Sequence, residues 1–170
     1  SKQHVGTQCK VLLDYEIPLH ETKSETTAYL QQDFKELGNI SILVVEDNPI
    51  NQMVIKIIAK NWEDCEVQFA NNGEEGLTLL AQNDFDIVLM DLQMPVMDGY
   101  ETTLSIRNGS VGKHKIHIPI IAVTADVMET TRQRVFTIGM DDYMSKPVDA
   151  EELRSKIMKL LIERKQRSAS

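Results

Sequence analysis

Five times between residues 41 and 166, a short strand-like run gives way to a longer stretch with helical character. Residues 42–45, 67–70, 87–90, 118–123 and 142–145 read as strands. The first, third and fourth runs are continuously apolar, the pattern of strands buried on both faces. The helix at 49–62 carries Ile50, Met53, Val54, Ile57 and Ile58 on one side, with Pro49 in the first turn, where proline is tolerated. Asn72-Gly73-Glu74-Glu75 opens a second helix with a cap and an acidic first turn, and Leu77, Leu80 and Ala81 give it a face. A third helix spans 98–107, followed by a polar, glycine-containing loop at 108–115. A fourth spans 127–138 and closes at Gly139. Asp149 caps a fifth, with Leu153, Ile157, Leu160 and Leu161 on one face. Such alternation predicts an α/β fold: a parallel sheet with right-handed crossovers and helices on both sides. Ligands of open α/β sheets bind beyond the carboxyl ends of the strands.

Those ends are polar. The first strand runs into Glu46-Asp47-Asn48, the third into Asp91, the fourth into Thr124-Ala125 and the fifth into Ser145-Lys146-Pro147. Any one of these alone is most often a turn former or helix cap. Together they bring three carboxylates, a hydroxyl and an ammonium to one edge. Crowded carboxylates repel one another, and a hard divalent cation such as Mg²⁺ relieves that. The metal also neutralises a transferring phosphoryl group, for which an aspartate is a suitable acceptor. A lysine pairs with phosphoryl oxygens as a point charge, and the Thr124 hydroxyl suits a further oxygen.

The segments ILVVEDNPINQ, DIVLMDLQMPVMDG, IPIIAVTA and GMDDYMSKP, spread over residues 41–148, resemble the receiver domain of two-component signalling. Their wording is most similar to receivers at the C-terminus of hybrid sensor histidine kinases. The resemblance implies a flavodoxin-like (CheY-like) doubly wound sheet of five parallel strands in the order 2-1-3-4-5. It implies a phosphoacceptor in a phosphorelay, with Asp91 taking the phosphoryl group from a phosphohistidine. Mg²⁺ would be held by Asp47 directly, by Glu46 through water, by Asp91 and by the backbone carbonyl of Gln93. Lys146 would pair with the phosphoryl group, across a cis peptide to Pro147. Thr124 and Tyr143 would be the switch residues, altering the surface around the fourth helix, fourth and fifth strands and fifth helix. The partners implied are the histidine-bearing dimerisation and phosphotransfer domain of a kinase and a downstream histidine phosphotransfer protein.

Other features narrow the reading. The net charge of −8 argues against a nucleic-acid footprint, which relies on clustered Lys and Arg. Two cysteines, Cys9 and Cys65, make neither a disulfide framework nor a metal spacing, which fits a cytoplasmic setting. No apolar run reaches membrane-spanning length, so any anchor would belong to a parent protein. His4, His20, His114 and His117 show no ligand-like arrangement. Met90, Met94, Met97 and Trp62 read as packing or loop residues, and the basic run at 164–167 as a solvated helix end. Apart from the resemblance, Tyr143 reads as a half-buried strand aromatic.

Residues 39–167 make the receiver. Within residues 1–19, KVLLDYEIPL alternates Leu13, Tyr15 and Ile17 against Asp14 and Glu16, and is similar to the last strand of a histidine-kinase ATP-binding domain. On that reading the chain is a piece of a hybrid kinase without the ATP-binding residues. It is then no enzyme itself, beyond metal-dependent self-phosphorylation and loss of phosphate to water. Residues 20–38 form a linker in which Leu30, Phe34 and Leu37 suit a short helix ending at Gly38. The severed strand is expected to stay unordered or to pair with a second copy as a homodimer. Three other functions were weighed. A phosphate-independent, receiver-like interaction module would not need the reactive set. A haloacid-dehalogenase-type phosphatase wants a second aspartate where Gln93 stands. A nucleotide-binding domain wants a glycine-rich loop after the first strand, and none is there.

Overall fold

The computed structural model describes residue 37 and residues 39–168. The readings of the first 36 residues and of Gly38, the kinase-derived strand and the linker helix among them, lie outside the described residues. Five strands alternate with five helices: β1 Ile40–Val45, α1 Pro49–Ala59, β2 Cys65–Ala70, α2 Gly73–Gln82, β3 Ile87–Asp91, α3 Gly99–Arg107, β4 Ile120–Thr124, α4 Glu129–Thr137, β5 Asp142–Ser145 and α5 Ala150–Ser168. All strand pairs are parallel, in the order β2-β1-β3-β4-β5. This is the expected fold. No helix among the described residues is long and apolar enough to cross a membrane.

The period-two alternation of strand side chains divides the core into two layers. Leu43, Val45, Val88, Met90, Ile120 and Ala122 pack with Leu80, Ile106 and Val135 from α2, α3 and α4. Ile42, Val44, Ile87, Leu89, Ile121 and Val123 pack with Ile55 of α1 and with Leu153, Ile157 and Leu161 of α5. The central strands β3 and β4 are buried at every residue, which is why they read as unbroken apolar runs.

Some boundaries differ from the expectation. β1 starts two residues earlier, at Ile40, whose N–H donates to the Asp64 carbonyl and which pairs with Cys65. β3 runs one residue further, through Asp91, because Asp91 pairs with Val123. β4 starts at Ile120, leaving Pro119 outside. Proline has no N–H for the ladder, although its carbonyl accepts from Val88 N at 2.9 Å. α1 stops at Ala59 rather than Trp62, and the chain then turns at Asp64 with a φ of 56°.

Two cations that no sequence pattern announces tie the far end of the sheet together. Arg107, the last residue of α3, donates to the carbonyls of Gly139 (2.8 Å), Ile116 (3.0 Å) and Ile118 (2.9 Å), and to Asp141 Oδ2 (3.0 Å). It thereby joins α3 to the loops on either side of β4 and α4. Gly139 lies at a φ of 94°, and an added Cβ would sit 3.3 Å from Arg107 Nε. Burial holds the Asp141 carboxyl above the usual range, against the opposing pull of the Ile120 N–H and Arg107. Lys115, also buried, reaches 35 and 32 residues back along the chain to the carbonyls of Leu80 and Asn83, the end of α2. Arg107→Met is expected to lower stability by about 2–4 kcal/mol, since it strips three part-buried carbonyls of a donor and leaves Asp141 with the Ile120 N–H but without the Arg107 cation. Urea denaturation checks this; a loss below about 0.5 kcal/mol would contradict it.

Candidate functional site

In the strand order, β1 and β3 lie side by side and β4 and β5 follow, so their last residues meet at one edge. Val45 pairs with Met90, Asp91 with Val123, and Thr124 with Ser145. This register sets Glu46, Asp91, Thr124 and Lys146 around a shared opening. Glycine is needed where α3 begins: a Cβ on Gly99 would lie 2.1 Å from the Asp91 carbonyl oxygen. Only a residue without a side chain lets that helix start so close behind the aspartate.

Lys146 Nζ is the hub. It lies 2.6 Å from Asp91 Oδ2 and 2.7 Å from Glu46 Oε2. Its backbone is fixed by its own N–H, which donates to the Thr124 carbonyl at 2.8 Å, and the Lys146–Pro147 peptide is cis. Burial pulls the lysine pKa down, but the hydrogen bonds and charges of Asp91 and Glu46 outweigh it. The ammonium is held above its usual value of 10.5. Glu46, only 2% exposed, is held on both oxygens. Oε2 faces the lysine, while Oε1 accepts from Asn51 Nδ2 at 2.7 Å and from Asn48 N at 3.3 Å. Asp91 is 6% exposed, and among the described residues its second oxygen accepts only from Gln93 N, at 3.1 Å. The Gln93 peptide therefore lies against the carboxylate.

Asp47 is exposed, and its carboxylate has no hydrogen-bond partner among the described residues. Glu46, Asp47 and Asp91 each offer an oxygen within 4.8 Å of the others, the one such metal-capable group among the described residues. The set fits a hard cation. All donors are oxygens, Asp47 is free, Asp91 Oδ1 keeps spare lone pairs, and Glu46 is already satisfied and so suited to act through a water.

Thr124, 2% exposed, does not bond to Asp91; its Oγ1 accepts from Asp126 N at 3.0 Å. Tyr143 lies on β5, half-buried. Its ring meets Phe136 edge-on at 6.3 Å, with Arg132 and Lys156 over it at 5.2 and 5.8 Å. The histidines of the described region, His114 and His117, line a polar cleft with Pro119, Asp141 and Arg167, none of them a residue of this site.

Three residues without an expected role, Asn51, Gln52 and Thr131, turn out to shape the site together with Asp126. Asn51 and Gln52 of α1 grip Glu46 by its carboxylate and by its carbonyl, the latter at 2.6 Å. Both sit in the quoted ILVVEDNPINQ segment and are amides rather than apolar residues, which was a usable signal. Thr131, which with Asp126 holds the turn after Thr124, had none; Asp126, two positions beyond Thr124, is a place where the receiver resemblance implies tuning of the phosphoryl lifetime.

Residues 42–158 match the model of the response regulator receiver domain. The chain belongs to the receiver family. Among curated relatives, this receiver is 35% identical over 118 residues to the sensor histidine kinase GacS of Pseudomonas protegens, covering 69% of this chain and 13% of that one. It is 39% identical over 116 residues to the hybrid signal transduction histidine kinase G of Dictyostelium discoideum, covering 68% of this chain and 3% of that one. The chain thus spans a small part of the relatives it matches, and those relatives are histidine kinases. Among solved structures, it is similar to the receiver domain of a Pseudomonas aeruginosa sensor histidine kinase, with a TM-score of 0.65 and 32% identity over 73% of this chain and 98% of that one. That protein holds a magnesium ion in its active-site cleft. The receiver of the Saccharomyces cerevisiae response regulator Ssk1, crystallised with the histidine phosphotransfer protein Ypd1, matches with a TM-score of 0.67 and 28% identity, over 75% of this chain and 92% of that one.

Lys146→Met is expected to destabilise this receiver in metal-free buffer, because Glu46 and Asp91 lose their shared cation. A lysine whose folded pKa is raised adds stability in full below its unfolded pKa and loses it as pH climbs through the folded value. The stability gap between wild type and variant should stay level from about pH 7 to about pH 9 and narrow above about pH 10.5. Urea denaturation across that range checks it; a gap that widened with pH would contradict the assignment.

Proposed function

We propose that this receiver accepts a phosphoryl group from a phosphohistidine onto Asp91 and thereby acts in a phosphorelay. The observation that carries the reading is the buried Asp91 carboxylate at the tip of β3, 2.6 Å from an ammonium and grouped with two further carboxylates. In the transfer, an Asp91 oxygen forms a bond to phosphorus, the phosphorus–nitrogen bond breaks, and the histidine leaves with the electron pair. Lys146 then sits against the transferred group and balances its charge. Asp47, Asp91 and the Gln93 carbonyl would hold Mg²⁺, with Glu46 acting through water. The metal supplies neutralisation of the phosphoryl oxygens. Thr124 donates its hydroxyl to a phosphoryl oxygen, and Tyr143 follows as the second switch residue.

The partner proposed is a histidine-bearing helical domain, either of a kinase or of a separate phosphotransfer protein. The Ssk1–Ypd1 pairing of a structural neighbour supports this. So does α1, which starts beside Glu46-Asp47-Asn48 and leaves Ile50, Met53 and Ile57 exposed at 71%, 64% and 60%. An unburied apolar stripe next to the reactive edge suits the face of a partner helix. The relatives' names support a parent hybrid histidine kinase, in which residues 39–167 are the receiver, 20–38 a linker and 1–19 the end of the ATP-binding domain. The setting would be cytoplasmic, with any anchor in the parent. A homodimer through the N-terminal strand is part of the same reading.

Incubation with phosphoramidate and Mg²⁺, followed by intact mass, tests the function. One phosphoryl group should be gained, and neither Asp91→Asn nor chelated protein should gain it. Lys146→Met should slow the gain by roughly 10²-fold. No gain in the wild type, under conditions that modify a control receiver, would point instead to a phosphate-independent interaction module.

A further inference from the structure

The turn between β4 and α4 is held in a particular way. Thr124 Oγ1 accepts from Asp126 N at 3.0 Å. The Asp126 carboxylate in turn accepts from Met128 N through Oδ1 at 2.9 Å and from Thr131 Oγ1 through Oδ2 at 2.6 Å. Met128, at the N-cap position of α4, supplies no side-chain cap, and Asp126 instead ties the Met128 N–H to the Thr131 side chain across the first turn. Apolar anchorage of α4 is slight: Val135 is its one buried residue. Val127 and Met128 in the turn are 67% and 62% exposed. The polar contacts of Asp126 therefore carry much of what fixes the start of this helix, while Arg134 stacks on the Tyr100 ring at 3.8 Å near its other end.

We propose that Asp126 and Thr131 form a latch that holds the Thr124 hydroxyl in its unphosphorylated orientation, which makes them positioning residues for the switch. The inference rests on the proposed role of Asp91 and Thr124 and extends it to two residues outside the reactive set. Turning the Thr124 oxygen toward a phosphoryl group on Asp91 breaks its bond with Asp126 N. That amide belongs to the turn whose far side is pinned to Met128 N and the Thr131 hydroxyl. The three bonds act in series, so the swing of Thr124 must strain or release the first turn of α4. A ligand that favours the swung state must supply the difference, and weakening the latch lowers it.

The test is the affinity of the whole chain for beryllofluoride, a mimic of the phosphoryl group on Asp91, by calorimetry in the presence of Mg²⁺. Thr131→Val keeps the shape of the side chain and removes one latch bond. It should bind the mimic roughly threefold to tenfold more tightly, the equivalent of one hydrogen bond, with Mg²⁺ affinity in the absence of the mimic unchanged. Asp126→Ala should tighten binding further, while lowering the melting temperature without the mimic more than with it. Asp126→Asn retains an acceptor for Met128 N and has an amide that can donate to the Thr131 oxygen, so it should return affinity toward wild type. Unchanged or weaker binding in both Thr131→Val and Asp126→Ala, with phosphoryl gain from phosphoramidate intact, would overturn the latch. Failure of the wild type to gain a phosphoryl group would overturn the phosphoacceptor reading itself.

Discussion

A single ammonium group decides the character of the reactive edge. Lys146 Nζ lies between Asp91 and Glu46, two carboxylates that are almost wholly buried, and supplies the positive charge that both of them face. The rest of the fold serves that contact. Parallel pairing of β1 with β3 brings the two acids side by side. Pairing of β4 with β5 delivers the lysine from beyond Ser145, anchored through its own N–H to the Thr124 carbonyl. Among described residues no buried side-chain nitrogen or oxygen lacks a partner, so the buried polar atoms of the edge are satisfied while exposed Asp47 is left open.

The same arrangement separates two tasks. Glu46 is gripped by Asn48, Asn51 and Lys146 and behaves as a fixed wall. Among the described residues the Asp47 carboxylate has no partner and Asp91 Oδ1 accepts from Gln93 N alone, so lone pairs are left over at the edge. A cation and a phosphoryl group both want such lone pairs and positive charge in fixed geometry, and little reorganisation is then needed when they arrive. The softer parts lie just beyond, in the turn after Thr124 and in the sparsely anchored α4. A rigid reactive edge next to a loosely held helix is a physical basis for turning a local charge into a change of surface.

Much of this was legible from residues alone, for identifiable reasons. Strands buried on both faces leave continuous apolar runs, so the sheet could be read off residues 42–45, 87–90 and 118–123. A charged residue directly after such a run stands out, which is how Glu46 and Asp91 came into view, whereas Lys146 follows the mixed run Asp142–Ser145 and gained meaning only beside the other strand ends. What sequence could not convey is long-range and polar. Arg107 finds carbonyls up to 32 residues away and Lys115 reaches back 35 residues, and no local pattern encodes either contact. The contact that the Thr124 hydroxyl makes in the unphosphorylated chain is polar too, though local: its oxygen accepts from Asp126 N, because a turn two residues long offers a near donor. Strand ends slipped where local chemistry intervened, as at Pro119, which cannot enter the ladder.

The most direct measurement is the location of the phosphoryl group. Protein treated with phosphoramidate and Mg²⁺, then reduced with borohydride, carries a distinctive residue mass wherever an acyl phosphate stood, and peptide mass spectrometry reads the position. The account predicts the mark at position 91 and nowhere else. A mark at Asp47, or phosphate retained on a histidine with position 91 unmodified, would contradict it.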